Sequence, residues 1–468
     1  MADSEPSAPD AAELLVLASL RRRLLGGSSW VFFGRVATII LGIGINALLA
    51  RLLEPRELGS YFTGYTLAFS GALIAQLGLD RAVVRIVSAA RGTNQPGRAR
   101  HAIRRILSIG AAGAIVVASI LTFGLGPWLA DHLFHSQLIA NTMPLIGGWL
   151  LANAIQSLFV ETFRGLQRFD LATVLDALLV DVLLGATFGT LVVLGAHMQL
   201  ASVVAITAGA TALVALVGGQ LLRSQVRALE GEGRVIPGEI FRIAWPSLIT
   251  NTAIYFLGLG VDVLVLGAFR PQQDVAIYGA ASRLVMLVAT PLWILGGVLP
   301  PLISELHAQG KRKTLETTLR AGATLAGLPS LVVLLIYVFF GRSVLGYFFG
   351  PFYRQGAEVL GILSAARLLS VWAGSCGMTL MMTGHQKTMM YITASTGLLS
   401  VTAGILVTPH FGAPGLAMAT ASMVVLQNVL QLLAAHRLVG VWTHVQLSPR
   451  ALLNFLSGKR PEAPGDDG

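Results

Sequence analysis

The chain has 468 residues, of which 54% are hydrophobic and only 12% charged, and its mean hydropathy is +0.72. A composition this apolar excludes an ordinary water-soluble protein, and the single cysteine, Cys376, excludes both a disulfide framework and a cysteine metal cluster. The net charge of +10 raises the question of nucleic-acid binding, but the placement of the basic residues points to membrane topology instead, so no nucleic-acid partner is expected.

Residues 1–27 are predicted to form a cytoplasmic N-terminal segment rather than a cleavable signal, because Arg21, Arg22 and Arg23 follow the weakly apolar stretch instead of preceding it. Beyond them, apolar stretches of about 20 residues, the length that crosses a bilayer as a helix, follow one another closely. We therefore predict an all-α polytopic membrane protein. About twelve transmembrane helices are predicted, over residues 28–50, 60–80, 106–130, 142–163, 170–194, 200–222, 243–269, 275–302, 319–340, 356–383, 388–410 and 414–436.

The two halves of the chain repeat each other at an offset of about 217 residues. A proline-led segment at 55–61 corresponds to one at 271–278, and Gly195 corresponds to Gly412. Six spans in each half give both halves the same orientation, which is typical of alternating-access transporters that bind substrate between the halves. The predicted domains are an N-lobe of six helices (28–222), a cytoplasmic linker (223–242), a C-lobe of six helices (243–436) and a cytoplasmic tail (437–468).

The basic residues outside the spans indicate how the protein is oriented in the membrane. With the spans above, 25 Lys and Arg fall on the side of the N-terminus and 5 on the opposite side. Since cytoplasmic loops carry the excess of Lys and Arg, both termini are predicted to be cytoplasmic.

Several charged residues fall inside the predicted spans, where a charge at the helix centre costs roughly 2.5–3.5 kcal/mol and marks a functional candidate. Guanidinium groups can hold phosphate oxygens with two parallel hydrogen bonds, so the arginines indicate a phosphate-bearing ligand. Ion pairs that merely pin helices, and side chains that snorkel to the interface, are the alternative reading. The candidate cavity residues are Arg35, Asn46, Arg283 and Arg367, and the candidate coupling or helix-pairing acids are Asp176, Asp181 and Asp262.

Motifs spread over residues 28–440 carry a family resemblance: LLARLLEPRELGSY at 48–61, QLGLDR at 76–81, VDVLVLG at 261–267, YGAASRL at 278–284, FGPF at 349–352, MMTG at 381–384 and FGAPG at 411–415. The chain resembles bacterial polysaccharide biosynthesis transporters, the Wzx-like lipid-linked oligosaccharide flippases of the MOP superfamily. The resemblance implies a MATE-like fold with a V-shaped pair of lobes around a basic central cavity.

It further implies a transporter of the bacterial inner membrane that flips undecaprenyl-diphosphate-linked glycans to the outer leaflet for cell-surface polysaccharide such as lipopolysaccharide or exopolysaccharide. The implied partners are the lipid-linked glycan, membrane lipids, and the polysaccharide polymerase and chain-length machinery. Arg35, Arg283 and Arg367 can be placed on the family's cavity only as candidates.

Other functions compete with this interpretation. An ion-coupled multidrug exporter of the same superfamily would need an acidic cavity, and the related peptidoglycan lipid-precursor flippases usually have two further helices that this sequence does not show. A membrane-embedded polymerase or acyltransferase needs a catalytic constellation, and a non-transporting scaffold gives the buried charges no use. No phosphate loop is present, and the two histidines of His132-x-x-His135 lack a third metal ligand, so we predict no enzyme, no cofactor and no metal site.

Overall fold

The structure, a computed structural model, describes residues 29–446 apart from 232, 234, 257–258 and 297–298. Within these residues the chain is helical almost throughout and has no β-strand. The predicted segment 1–27 and the tail beyond residue 446 lie outside the described residues. The predicted all-α membrane fold is thus confirmed.

Between residues 29 and 231 the structure describes nine helices, with π-helical turns at Ile120–Leu125 between α4 and α5 and at Val174–Leu178 between α7 and α8. They are α1 (Ser29–Leu52), α2 (Pro55–Ala75), α3 (Leu79–Gly92), α4 (Pro96–Ser119), α5 (Gly126–His132), α6 (Gln137–Gly165), α7 (Phe169–Thr173), α8 (Leu179–Val193) and α9 (Leu200–Arg227).

In the described part of the second half there are eight helices, with a short 3₁₀ turn at Pro351–Gly356 before α15. They are α10 (Pro237–Phe256), α11 (Leu259–Phe269), α12 (Gln272–Leu295), α13 (Leu299–Ala308), α14 (Arg312–Phe348), α15 (Ala357–Ala373), α16 (Cys376–Met382) and α17 (Gln386–Val439).

Eight continuous helical stretches in the described part of the chain are long and apolar enough to cross a membrane, and nine if the bent pair α2 and α3 counts as one span. Helix α17 has 54 residues and would be about 80 Å long if straight, more than twice the roughly 30 Å of a hydrocarbon core. It therefore comprises two predicted spans, and it bends between them at Gly412, whose φ of 59° and ψ of −146° are not helical. The remaining predicted spans correspond to α1 and to the pair α10 and α11.

The predicted repeat has a counterpart in the backbone. Gly195 and Gly412, which correspond at the repeat offset, both have positive φ, at 68° and 59°. Helices α2 and α12, which begin at the two proline-led segments, pack against each other at the centre of the molecule. Their buried side chains Phe62 and Tyr278 are among the largest in the main apolar core.

The second predicted span differs most from expectation. Helix α2 ends at Ala75, and after a break at residues 76–78 the chain continues as α3, bent by 47° from α2. The arginine-rich stretch 81–105, read from sequence as a loop, is therefore mostly helix. The reason is that α3 is amphipathic: Val83, Ile86 and Val87 are buried while its arginines point outward.

Candidate functional site

The two halves approach most closely between α2 and α12 at the predicted outer end of the bundle. A Cβ added to Gly59 would lie 1.7 Å from the carbonyl oxygen of Gln272, and one added to Gly279 would lie 2.2 Å from the ring of Phe62. The hydroxyl of Thr63 lies 3.1 Å from Gln272 Oε1. Small residues at these positions allow the two helices to come into backbone contact, as in other membrane helix pairs.

Towards the predicted cytoplasmic end, α10 packs against the N-terminal half. Its residues Ile240 and Ala244 belong to the same buried apolar cluster as Val83 of α3. The amide of Asn251 donates a hydrogen bond of 2.9 Å to Asp80 Oδ2. The halves are thus in contact at both ends of α2, and the central part of α2 lies between these two contacts.

Arg283 of α12 is half-buried at this central position and has no carboxylate partner among the described residues. Its guanidinium carbon lies 4.0 Å from the ring centroid of Phe62 and 5.8 Å from that of Tyr65. Its hydrogen bonds to other described residues are long ones of 3.4 Å, to Gly279 O and Ser282 Oγ. Cation–π contacts on one face leave most of its five donors free, so the side chain can accept an anionic ligand.

Aromatic side chains surround Arg283, and sequence reasoning had not singled them out. Tyr61, Tyr65 and Phe69 recur every four residues on one face of α2. Tyr61 and Tyr65 pack on Trp149 of α6, with centroid distances of 5.8 and 5.5 Å, and Phe69 stacks on Tyr255 of α10 at 5.8 Å. Tyr65 and Phe69 are 38% and 39% exposed, and each also contacts a residue of the C-terminal half, Arg283 and Tyr255 respectively. Their four-residue spacing was the signal available in the sequence.

Asp262 of α11 lies inside the C-terminal half, with 6% of its surface exposed. It accepts a hydrogen bond of 2.5 Å from the hydroxyl of Tyr278 and one of 3.0 Å from the hydroxyl of Thr420. Arg367 of α15 is half-buried and interacts electrostatically with Asp262 and Tyr278. The structure therefore brings two candidates, Asp262 and Arg367, into one polar cluster of the C-terminal half, separate from the surroundings of Arg283.

The two candidate acids of the fifth span have different surroundings. Asp176 is exposed in the π-helical turn and forms an ion pair of 2.7 Å with Arg164, which also pairs with Glu161. Asp181, one turn further along, is half-buried and interacts electrostatically with Tyr61. It has no ion-pair partner in the described part of the chain.

The two candidates of α1 are not brought to Arg283 by any described contact. Asn46 donates a hydrogen bond of 2.6 Å to Gly42 O of its own helix. The side chain of Arg35 lies outside the described residues. Among the described residues no three His, Cys, Asp or Glu side chains are grouped so as to hold a metal ion.

Comparisons with known proteins agree with this architecture. A family model described as polysaccharide biosynthesis protein matches residues 24–307, and the MatE model matches residues 246–406. No curated protein matches the chain in sequence.

Among solved structures, the inward-facing conformation of a multidrug resistance MATE family transporter of the MOP superfamily has a TM-score of 0.72 at 15% identity, covering 91% of this chain and 98% of that one. The lipid II flippase MurJ in an inward closed conformation has a TM-score of 0.63 at 13% identity, covering 91% and 89%. The Vibrio cholerae MATE transporter VcmN in the bent form has a TM-score of 0.59 at 16% identity, covering 90% and 98%. At these identities the similarity concerns the fold.

Proposed function

The chain belongs to the polysaccharide biosynthesis protein family of the MOP superfamily, and we propose that it flips an undecaprenyl-diphosphate-linked oligosaccharide from the inner to the outer leaflet. We place it in the bacterial inner membrane with both termini in the cytoplasm, as the excess of basic residues on one side favours. The polymerase and chain-length machinery that extend the glycan are its proposed partners.

The proposal rests on one observation: Arg283 is half-buried and has no carboxylate partner among the described residues. Burying a cation without a carboxylate partner is costly, and such a group is retained where a ligand completes its coordination. A diphosphate supplies several anionic oxygens, and the planar guanidinium can bind two of them with parallel hydrogen bonds. Because Arg283 lies where the two halves meet, a diphosphate bound there touches both of them.

Alternating access follows from the contacts on either side of Arg283. The contact between Gly59 and Gln272 closes the predicted outer end, and the hydrogen bond between Asn251 and Asp80 joins the halves towards the predicted cytoplasmic end. Opening one contact while the other holds would expose the bound headgroup to one side at a time, with the lipid tail left in the bilayer.

The test is flipping by purified protein in reconstituted vesicles. The probe is undecaprenyl diphosphate bearing a fluorescent oligosaccharide, and the readout is its accessibility to a membrane-impermeant quencher. Losing hydrogen bonds to a charged group costs about 1.5–3 kcal/mol, so Arg283→Ala should slow flipping about tenfold or more. The matched control, Arg342→Ala, replaces an exposed arginine and should leave the flipping rate unchanged. Absence of protein-dependent flipping, or an equal rate in Arg283→Ala, would refute the proposal.

A second function, ion-coupled export of an organic cation, is favoured by one observation. Asp181 is a half-buried acid without an ion-pair partner in the described residues, and it interacts with Tyr61 and Tyr65. Export of tetraphenylphosphonium from the same vesicles, abolished by Asp181→Asn and unaffected by Arg283→Ala, would establish this function in place of the first.

A further inference from the structure

We infer that Tyr65, Phe69 and Tyr255, here called the aromatic track, stack on the sugar rings next to the diphosphate. The inference rests on the proposed function and adds to it which part of the substrate these residues recognise. It concerns the binding of the glycan, whereas Arg283 was assigned to the diphosphate.

The aromatic track begins beside Arg283 and continues in steps of nearly equal length. The ring centroid of Tyr65 lies 5.8 Å from the guanidinium carbon of Arg283. The next steps, from Tyr65 to Phe69 and from Phe69 to Tyr255, are 6.0 and 5.8 Å. Each step is comparable to the length of one sugar unit. Since the first sugar of a lipid-linked glycan is attached directly to the diphosphate, a headgroup held by Arg283 would bring that sugar to Tyr65.

The rings of the aromatic track are held in place and still accessible. Trp149 supports Tyr65 from the N-terminal half, while the hydroxyl of Tyr255 lies 2.9 Å from Ser70 Oγ. Tyr65 and Phe69 nevertheless keep more than a third of their surface exposed, in contrast to Phe62 on the same helix, which is fully buried. The buried ring serves packing, whereas the two exposed rings keep accessible surface next to Arg283.

The chemistry of this surface fits a sugar better than an organic cation. The face of an aromatic ring carries negative potential and attracts the C–H groups on the apolar face of a pyranose, while the sugar hydroxyls remain free for polar partners. A cation at Tyr65 would be repelled by Arg283, whose charge lies 5.8 Å away. Ligand sites that combine aromatic walls with a few fixed polar groups are typical of small-molecule recognition.

The experiment measures equilibrium binding of two radiolabelled lipids to the full-length protein in nanodiscs. One lipid is undecaprenyl diphosphate, and the other is the same lipid carrying an N-acetylhexosamine disaccharide. Tyr65→Leu and Phe69→Leu keep the apolar bulk and remove the flat ring. Each should weaken binding of the glycosylated lipid about tenfold and leave binding of the bare lipid unchanged. Tyr65→Phe, which retains the ring, should bind both lipids as the wild type does.

Two further variants separate this inference from the proposed function. Arg283→Ala should weaken binding of both lipids, because both carry the diphosphate. Phe123→Leu removes an aromatic ring that is 84% exposed in the π-helical turn after α4, and it should change neither affinity.

Four outcomes would overturn the inference. If the leucine variants lose both lipids equally, or bind the glycosylated lipid as the wild type does, the rings are not a sugar site. If they lose only the binding of tetraphenylphosphonium, measured in the same nanodiscs, the track belongs to an organic cation. A wild-type protein that binds neither lipid would overturn the proposed function and this inference together.

Discussion

The cluster around Asp262 inside the C-terminal half and the surface where the two halves meet satisfy their polar groups to different degrees. In the interior, each carboxylate oxygen of Asp262 accepts a hydrogen bond. Between the halves, Asp80 accepts its hydrogen bond through Oδ2, while its Oδ1 and the side-chain nitrogen of Gln272 are buried and have no partner among the described residues. Arg283 likewise has no carboxylate beside it among the described residues.

This difference indicates which parts of the molecule stay fixed and which can separate. A fully satisfied polar cluster has one favourable arrangement and makes its surroundings rigid. A buried group that lacks a partner gains one when water or a ligand reaches it, so separating the halves is partly compensated. Rigid halves joined by an incompletely satisfied interface are what rocking motion requires.

The largest expected effect is on the interior cluster. Asp262→Ala leaves the hydroxyls of Tyr278 and Thr420 without their acceptor and Arg367 without its nearest negative charge. Breaking a buried charged network of this kind costs about 3–5 kcal/mol. The midpoint of thermal unfolding of the purified Asp262→Ala protein in detergent should therefore fall strongly. The exposed control Asp131→Ala should leave that midpoint unchanged. A loss below about 1 kcal/mol would contradict the contrast between interior and interface.

The next effect is on the contact at the predicted outer end. Gly59→Leu would place side-chain atoms where the carbonyl of Gln272 lies, and overpacking of this kind costs typically 1–3 kcal/mol. Because the interface can separate, we expect the halves to move apart rather than the protein to unfold. Spin labels at the exposed positions Arg56 and Gln273 would report a longer distance by pulsed EPR.

The control for this measurement is Gly42→Leu, since no atom lies within 4 Å of a Cβ added there. The native Cys376 is buried and should not take up label. An unchanged distance together with lowered stability would mean that this contact belongs to the rigid part of the molecule.

A smaller effect on stability is expected at Arg283. The variant Arg283→Met loses a cation–π contact with Phe62 worth about 0.5–1 kcal/mol. It also removes the cost of a buried cation without a carboxylate partner, so the midpoint of thermal unfolding should hardly change. A fall as large as that of Asp262→Ala would show that Arg283 is a structural residue.

A comparably small effect is expected for the ion pair of 2.6 Å between Arg98 of α4 and Glu239 of α10. Both side chains are about one-third exposed, so a double-mutant cycle should give a coupling energy of only about 0.2–1 kcal/mol. High salt should reduce the coupling further. A coupling above this range that salt does not change would mean that this contact is part of the rigid interior.

Sequence reasoning was most successful for features set by local chemistry. Apolar length located the spans, and the bend of α17 falls at Gly412, where a glycine and Pro414 interrupt the apolar run. It was least successful at α3. The arginine-rich segment there was predicted to be a loop between two spans, although its intervening apolar residues recur at helical spacing. The aromatic residues of α2 were missed for a related reason, since an aromatic residue in an apolar span resembles ordinary packing until its neighbours are known.

The sequence by itself determined that this protein is a helical membrane protein and predicts two related halves, because hydropathy, charge distribution and repeated motifs are properties of the chain alone. Only the tertiary structure distinguished the in-span charges from one another. Asp262 and Arg283 look equally exceptional in the sequence, but one receives two hydrogen bonds and the other rests on an aromatic ring. Whether a charge is satisfied depends on partners from distant segments, and packing alone brings those segments together.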